Sequence, residues 1–260
     1  MADYALPALY AAFVWWFGTG VILLLDGLPS RTYRASMLAA TVVLAAGFAG
    51  LVDSATDATP AGAYAAFTYA VLIWCWLEMS FLMGFVTGPR AEPLPPGWRG
   101  TRRFVRAVEV ILYHELAILV AGALVFAVTR DAANPVGAWT FAILWAMRTS
   151  AKLNLFLGVR NTAEELLPPH LRYLGSYFRR RPMNWLLPFS LAVPASVAGA
   201  LVAPAFAADA SAFDVVGRTL AGTLLALAVA EHALLVLPLP ATALWGWGLR
   251  TRAAPAERRR

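Results

Sequence analysis

Long apolar runs with few charged residues recur along the whole chain, and they limit its fold more strongly than any other feature. Each of seven such runs has the roughly 20 residues that an α-helix needs to cross about 30 Å of hydrocarbon. Charged residues make up only 14% of the 260 residues, whereas a soluble domain carries about a quarter. The sequence therefore predicts an all-α, polytopic integral membrane protein that forms one transmembrane domain over residues 1–260. The seven predicted spans are residues 6–26, 35–53, 62–88, 104–129, 136–158, 184–206 and 214–248.

The seventh predicted span is longer than a membrane crossing requires, and it contains Pro238 and Pro240 near its end. Proline lacks a backbone donor and obstructs the preceding helical turn. We therefore expect this helix to kink at the prolines or to continue as an interfacial segment.

The distribution of arginine predicts the orientation of the chain. Arginines are concentrated in the segments that follow the first, third, fifth and seventh predicted spans, whereas aspartates prevail in the other connections. Because cytoplasmic loops are rich in Lys and Arg, the N-terminus is predicted outside (periplasmic) and the C-terminus in the cytoplasm. The net charge of +6 is then mainly a topology signal. Membrane lipids are expected partners, anionic ones especially, and nucleic acid is not.

The connection of residues 159–183 is the longest between predicted spans. After the turn at Pro168 and Pro169, apolar side chains recur at helical spacing with arginines elsewhere. This pattern predicts a short amphipathic helix that lies on the membrane surface or docks a partner. The spaced apolar residues are Leu171, Leu174 and Phe178.

Ionisable side chains interrupt four of the predicted spans. Arg148 and Lys152, the only lysine of the chain, stand one helical turn apart in WAMRTSAKLNLFLGVRN (145–161). Counted from the span ends, Arg148 lies near the midplane, where a charge costs about 2.5–3.5 kcal/mol on insertion scales. It is too deep to reach the surface, so we expect it to have a partner. The acidic and imidazole side chains in the other spans are Glu78, His114, Glu115, Glu231 and His232.

Three interpretations of this set are open. In the first, the glutamates neutralise the two cations and hold helices together without a further role. In the second, Arg148 and Lys152 anchor the carboxylate of a polar ligand or pigment. In the third, the acidic side chains form a proton or ion pathway, because intramembrane ionisable groups often mark such pathways.

The two histidines within the spans each stand beside a glutamate, in YHEL (113–116) and AEHALL (230–235). Imidazole is a common ligand of metal ions, so His114 and His232 are candidate ligands of a metal ion or of a tetrapyrrole. The Glu-x-x-His spacing of di-iron bundles is absent from the predicted spans. The residues alone therefore assign no catalytic residue and no metal-ion site.

Several motifs together resemble the PuhE-type photosynthetic complex assembly proteins of purple bacteria. The resemblance covers residues 76–247 and implies a multi-pass protein of the bacterial inner membrane, either the cytoplasmic or the intracytoplasmic photosynthetic membrane. It implies a role in bacteriochlorophyll biosynthesis and photosynthetic complex assembly, but it provides no catalytic residues to transfer. The motifs are EMSFLMGFVTGPR (78–90), YHEL (113–116), RTSAKLNLFLGVRN (148–161), LPPHLRYLGSYF (167–178), PMN (182–184) and EHALLVLPLP (231–240).

The leading hypothesis is an accessory factor that holds bacteriochlorophyll, a Mg-porphyrin precursor or ubiquinone. Arg148 and Lys152 would bind a ligand carboxylate, such as the free propionate of Mg-protoporphyrin monomethyl ester, or pair with Glu78 and Glu115. One of the two span histidines would ligate magnesium or hydrogen-bond a quinone carbonyl. The basic cytoplasmic face would dock the aerobic Mg-protoporphyrin monomethyl ester cyclase, another bacteriochlorophyll-synthesis enzyme, or reaction-centre and light-harvesting subunits.

Two other functional hypotheses belong to different classes. In one, the protein is an integral subunit of the aerobic cyclase that supplies electrons from quinol and is not catalytic alone. In the other, it is a proton-coupled transporter with a relay formed by Glu78, Glu109 and Glu115. Matched broken helices in two halves, which are typical of many transporters, are not evident in the sequence.

Overall fold

The computed structural model describes residues 2–239 and 241–253, and within these ranges the chain is helical and forms no β-strand. Short 3₁₀ helices connect the longer elements. The α-helices of the described ranges are α1 (Ala2–Asp26), α2 (Tyr33–Ser54), α3 (Pro60–Leu82), α4 (Gly100–Glu109), α5 (Leu112–Thr129), α6 (Val136–Leu157), α7 (Leu187–Val202), α8 (Ala212–Leu234) and α9 (Arg250–Ala253).

Six of these helices are long and apolar enough to cross a membrane: α1, α2, α3, α5, α7 with its 3₁₀ extension, and α8. Their outward faces expose large apolar side chains, including Leu9, Phe13, Leu38, Val120 and Val193. Apolar surface of this extent is stable in contact with lipid and not with water. The chain is therefore a multi-pass helical membrane protein.

Helix α6 packs against α3, α5 and α8. Its 22 residues are enough to cross a membrane, but Arg148 and Lys152 reduce its apolar character, and it is not among the six. Contacts at both ends align α6 with α3, so that the two helices run parallel. Asn134, just before α6, donates to the Gly62 carbonyl (2.9 Å), and Arg148 pairs with Glu78 (2.8 Å).

Capping residues explain where two of the long helices begin. The Thr59 hydroxyl accepts a hydrogen bond from the Gly62 amide (3.2 Å) and Pro60 takes the first helical position of α3. At α8 the Ser211 hydroxyl accepts from the Asp214 amide (3.0 Å). Both arrangements satisfy backbone donors that a helix N-terminus leaves free.

The fourth predicted span, residues 104–129, is two helices and not one. Helix α4 ends at Glu109 and α5 begins at Leu112. Hydropathy alone misses this break, because it joins the apolar residues of α4 to those of α5 across Arg106 and Glu109. His114, predicted near the midplane, consequently lies in the first turn of α5, at one end of that helix.

Two further helices are shorter than their predicted spans. Helix α3 ends at Leu82 although the apolar run continues to residue 88, and α8 ends at Leu234, before Pro238, although the predicted span continues to residue 248. Helix α7 and its 3₁₀ extension lie within residues 184–206, and the remaining predicted spans differ from α1, α2 and α6 by a few residues at their ends.

Residues 241–253 lie against α1, where the sequence had left open a kink at the prolines or an interfacial continuation. Trp245 donates from its indole nitrogen to the Trp16 carbonyl (3.1 Å) and is buried. Trp16 lies about 15 Å along α1 from the end of that helix at Asp26. Residues 241–253, which we call the re-entrant segment, therefore begin at mid-depth in the bundle. Irregular backbone at this depth requires cover by protein, which α1 supplies.

The re-entrant segment returns to the end of α1 through two side-chain contacts. Thr251 donates to the Leu24 carbonyl (2.9 Å). Arg252 forms an ion pair with the buried carboxylate of Asp26 (2.6 Å). Through these contacts the segment turns back towards the end of α1 and covers one side of that helix.

The connection of residues 159–183 contains a 3₁₀ helix, Pro169–Tyr177, in place of the α-helix that we predicted. Because side chains of a 3₁₀ helix repeat every three residues, Tyr177 and not Phe178 takes the third inward position. The inward face packs over Phe81 at the end of α3. The apolar surface predicted for membrane or partner is thus covered by the protein itself. Its buried residues are Leu171, Leu174 and Tyr177.

Arg103 attaches helix α4 to the rest of the protein. It is buried, and its guanidinium donates to the carbonyls of Phe156 (2.9 Å) and Tyr177 (2.5 Å) and lies 3.8 Å from the centre of the Phe156 ring. Burial, together with the nearby Arg179 and Arg181, lowers the pKa of Arg103 to about 10. The side chain therefore stays protonated at neutral pH, as its two acceptors require.

Replacing Arg103 by alanine is expected to release α4 while the long helices stay folded. Hydrogen bonds from a charged donor contribute about 1.5–3 kcal/mol, so amide exchange across residues 100–109 should accelerate by about tenfold or more. Hydrogen–deuterium exchange with mass spectrometry measures this change. Arg102→Ala, which removes an exposed arginine of the same helix, is the matched control, and equal exchange in the two variants would contradict the attachment role.

Candidate functional site: an intramembrane ion-pair cluster

Glu78 of α3 and Arg148 of α6 form the first ion pair of the cluster. A guanidinium nitrogen of Arg148 lies 2.8 Å from Oε2 of Glu78. The contact is made by one oxygen only, because Oε1 of Glu78 and Nε of Arg148 are buried without a hydrogen-bond partner among the described residues. The Glu78 side chain is 11% exposed and the Arg148 side chain 40% exposed. One side of the arginine is therefore open.

Lys152 and Glu115 form the second ion pair, with 2.5 Å between Nζ and Oε1. Lys152 lies one turn beyond Arg148 on the same face of α6, and Glu115 lies in the first turn of α5. The two cations thus connect α6 to α3 and to α5. Each predicted cation has a carboxylate partner, as the first interpretation of the sequence requires.

His114 lies between the two ion pairs and is completely buried. Its ring centre is 4.5 Å from that of Phe81, and the ring is within electrostatic range of Glu78 and Lys152. In the part of the chain that the structure describes, neither ring nitrogen has a hydrogen-bond partner. A buried polar group without a partner costs about 1–3 kcal/mol, so a polar group placed beside His114 would offset this cost.

Glu231 and His232 are adjacent on α8 but have different surroundings. His232 is buried, and its ring nitrogens contact the Ala228 carbonyl (2.8 Å) and the Ser150 hydroxyl (3.0 Å). Both nitrogens are engaged, so His232 has none free to ligate a metal ion. Glu231 is exposed, forms no ion pair with any residue of the described ranges, and lies within electrostatic range of Arg148.

Arg148 lies near the middle of α6, whereas Glu78 lies near the end of α3 and His114 in the first turn of α5. Glu78 is about 6 Å from the end of α3 and Arg148 about 14 Å from the end of α6, at 1.5 Å per residue. The difference arises because α3 ends earlier and α5 begins later than the apolar runs indicate. The 3₁₀ helix Pro169–Tyr177 covers this end of the bundle.

A second polar row on α6 was not predicted from the sequence. Ser150 and Asn154 are one turn apart and are offset by two residues, or about 200° around the helix, from Arg148 and Lys152. They bind α7 and the residues before it. Ser150 and Asn154 each lie 2.9 Å from the Ser190 hydroxyl, and Asn184 donates to the Asn154 side-chain oxygen (3.0 Å). The spacing of Ser150 and Asn154 is the signal that identifies this row.

The described ranges hold no group of three or more His, Cys, Asp or Glu side chains that is arranged to bind a metal ion. A tetrapyrrole magnesium requires only one axial ligand from the protein, and His114 has free nitrogens for that role. Because its ring packs on Phe81 and is fully covered, such a ligand has to displace that contact. The open side of Arg148 is directly accessible.

These features define a class: a multi-pass helical membrane protein in which one polar helix, α6, is joined to its neighbours by intramembrane ion pairs. The chain belongs to the family described as protein of unknown function (DUF3623), whose sequence profile matches residues 1–256. It is 40% identical over 257 residues to the uncharacterized 30.4 kDa protein in the puhA 5′ region of Rhodobacter capsulatus, covering 97% of this chain and 93% of that protein. No solved structure matches the chain.

Proposed function

We propose that this protein is a PuhE-type accessory factor in bacteriochlorophyll biosynthesis and photosynthetic complex assembly in a bacterial inner membrane. The description of the Rhodobacter capsulatus relative, which places that protein in the puhA 5′ region, supports the biological setting. The motifs around Glu78, His114, Arg148 and Glu231 support the family assignment. The proposal concerns a protein that holds a ligand and a partner, and not a catalyst acting alone.

The proposed topology has seven spans, with α6 as the fifth and the N-terminus in the periplasm. The length of α6 and its parallel course beside α3 support the seventh crossing. The concentration of arginine in alternate connections supports the orientation. In this topology the ion-pair cluster faces the cytoplasmic half of the membrane.

The observation that carries the ligand proposal is the open side of Arg148. An arginine side chain in hydrocarbon that is 40% exposed is costly unless a polar group covers its charged end. Buried atoms without partners on Glu78, His114 and Arg148 fit a ligand head group that brings both donors and acceptors. Arg148 would bind that head group, and Lys152 with Glu115 would fix the helix that carries it.

Two ligand classes fit this chemistry. A Mg-porphyrin precursor with a free propionate, or bacteriochlorophyll itself, offers magnesium to an imidazole, and the propionate of the precursor is an acceptor for Arg148. Ubiquinone offers carbonyl oxygens to His114 or Arg148. Glu231 distinguishes an acidic from a neutral head group, because its carboxylate lies near Arg148 and repels a second carboxylate.

Arg148→Gln is expected to reduce the amount of co-purified pigment, precursor or quinone by about tenfold, since the lost charged hydrogen bond contributes about 1.5–3 kcal/mol. The protein is purified in mild detergent from a pigmented host and from one blocked early in tetrapyrrole synthesis, and small molecules are identified by mass spectrometry. Arg218→Gln, which removes the arginine ion-paired to Asp214 near the other end of the bundle, is the matched control. Absence of pigment and quinone from both hosts would overturn the ligand role.

Glu231→Gln separates the two ligand classes without breaking an ion pair. Retention of a propionate-bearing precursor should rise by about fivefold, because removing a nearby like charge contributes about 1 kcal/mol. Retention of ubiquinone should not change. The same mass-spectrometric inventory reports protein partners, and it tests whether the aerobic cyclase, another biosynthetic enzyme or photosynthetic subunits bind the basic face.

A further inference from the structure

A cavity of about 360 Å³ lies beside α4, at the boundary between the apolar helices and the arginine-rich connections. One face of α4 forms its wall, at positions 102, 105, 106 and 109, and Arg103, on the neighbouring face, docks the helix to the rest of the protein. The chain before α4 forms the other wall. The residues that line the cavity include Arg90, Trp98, Arg102, Val105, Arg106 and Glu109.

The charge of this cavity favours an anion. Glu109 pairs with Arg106 (2.7 Å) and with Arg90 (3.6 Å). Arg102 is exposed and forms no ion pair within the described part of the chain. The cavity thus holds three guanidinium groups and one carboxylate, which pairs with two of them. Arginine binds phosphate oxygens through paired donors, and Arg102 and Arg90 have donors available.

The surroundings of the cavity are those of a membrane interface. Val105 on the cavity wall and the neighbouring Phe104 and Val108 are exposed apolar side chains. The span α5 begins three residues after Glu109. The Arg106 guanidinium lies 5.1 Å from the centre of a Trp98 ring, and tryptophan is enriched at this level of the bilayer.

We propose that this cavity binds the phosphate head group of an anionic phospholipid, with the acyl chains along Val105 and its apolar neighbours. The basic wall supplies the charge complement, and the exposed apolar residues distinguish a lipid from a free phosphate. The site is separate from the ion-pair cluster and does not depend on the proposed ligand of Arg148.

Native mass spectrometry of the protein released from nanodiscs tests the site. Nanodiscs contain either phosphatidylcholine alone or a mixture with phosphatidylglycerol. Wild type should retain phosphatidylglycerol selectively, and Arg102→Gln should weaken that retention about fivefold, as expected for one basic residue at an anionic surface. Arg172→Gln is the matched control, because it removes an exposed arginine outside the cavity.

Each outcome is decisive. Selective loss in Arg102→Gln, with retention in Arg172→Gln and no displacement by inorganic phosphate, supports a lipid site. Equal loss in the two variants would show only general attraction to a charged surface and would overturn it. Displacement of the lipid by millimolar inorganic phosphate would identify a phosphate site and contradict the lipid assignment. Because Arg102 is exposed, its replacement leaves the fold intact, which the elution profile checks.

Discussion

Glu78→Ala is expected to lower the unfolding temperature of the detergent-solubilised protein by roughly 10 °C, because it leaves Arg148 without its carboxylate partner in apolar surroundings. Breaking a buried ion pair on one side costs about 3–5 kcal/mol, since the remaining charge stays unpaired. Fully buried His114 lies beside the pair and cannot relax into water. Fluorescence-detected size-exclusion chromatography after heating measures the midpoint.

The double variant Glu78→Gln, Arg148→Gln should recover most of the lost stability, because two neutral amides can hydrogen-bond to each other and leave no charge. Asp214→Ala is the matched control, since it breaks the Asp214–Arg218 pair on α8, whose carboxylate is 40% exposed against 11% for Glu78, and i,i+4 pairs within one helix contribute about 0.3–0.5 kcal/mol. If Glu78→Ala and Asp214→Ala melt at the same temperature, the Glu78–Arg148 pair does not stabilise the bundle.

Asn184→Ala is expected to have a comparable effect on stability at the start of α7. The side-chain oxygen of Asn184 accepts from the amides of Leu186 (2.8 Å) and Leu187 (3.2 Å). Its amide donates to the Gly158 carbonyl (2.9 Å) and to Asn154. Each buried group left without a partner costs about 1–3 kcal/mol, so the free energy of unfolding should fall by about 3–5 kcal/mol.

The loss should be visible as faster amide exchange in residues 184–190 and as a lower unfolding temperature. Ser196→Ala is the control within the same helix, because Ser196 is exposed and donates only to the Ala192 carbonyl of its own turn. Surface changes of that kind alter stability by about 0.5 kcal/mol or less. Exchange at residues 184–190 that matches the control would refute the capping role of Asn184.

Hydropathy and proline placement predict most of the long helices because each depends on its own local sequence. The break between Glu109 and Leu112 was missed because α4 carries the apolar residues of an interfacial helix directly beside a span. Interfacial and membrane-spanning helices differ in which face is apolar, and the three arginines and one glutamate within the ten residues of α4 are the signal of an interfacial helix. The depth assigned to His114 inherited this error.

The composition of the ion-pair cluster was predictable, whereas its pairing was not. An arginine deep in a span requires a carboxylate, and Glu78, Glu115 and Glu231 were all available. Which glutamate meets which cation depends on helix rotation and neighbour order, and these follow from packing of the whole bundle. Glu231 remains outside the pairs because α8 presents His232, and not its neighbour, to α6.

Asn184 and the re-entrant segment were not predictable for a related reason. The sequence around Asn184 does not indicate its role, because the Gly158 carbonyl that it binds lies at the end of α6, 26 residues earlier. The tryptophans at 245 and 247 match an interfacial belt in composition, yet Trp245 meets Trp16 in the middle of α1. Contacts between residues so far apart in sequence leave no local pattern.

The ion pair between Asp26 and Arg252 has a consequence for how the protein is made. Helix α1 gains its ion pair with Arg252 only after that residue has been translated, 226 positions after Asp26. Until then one flank of that helix faces lipid or a membrane insertase, with the carboxylate of Asp26 unneutralised. The re-entrant segment therefore packs against α1 only late in synthesis, and a premature stop before residue 241 would leave α1 without these contacts.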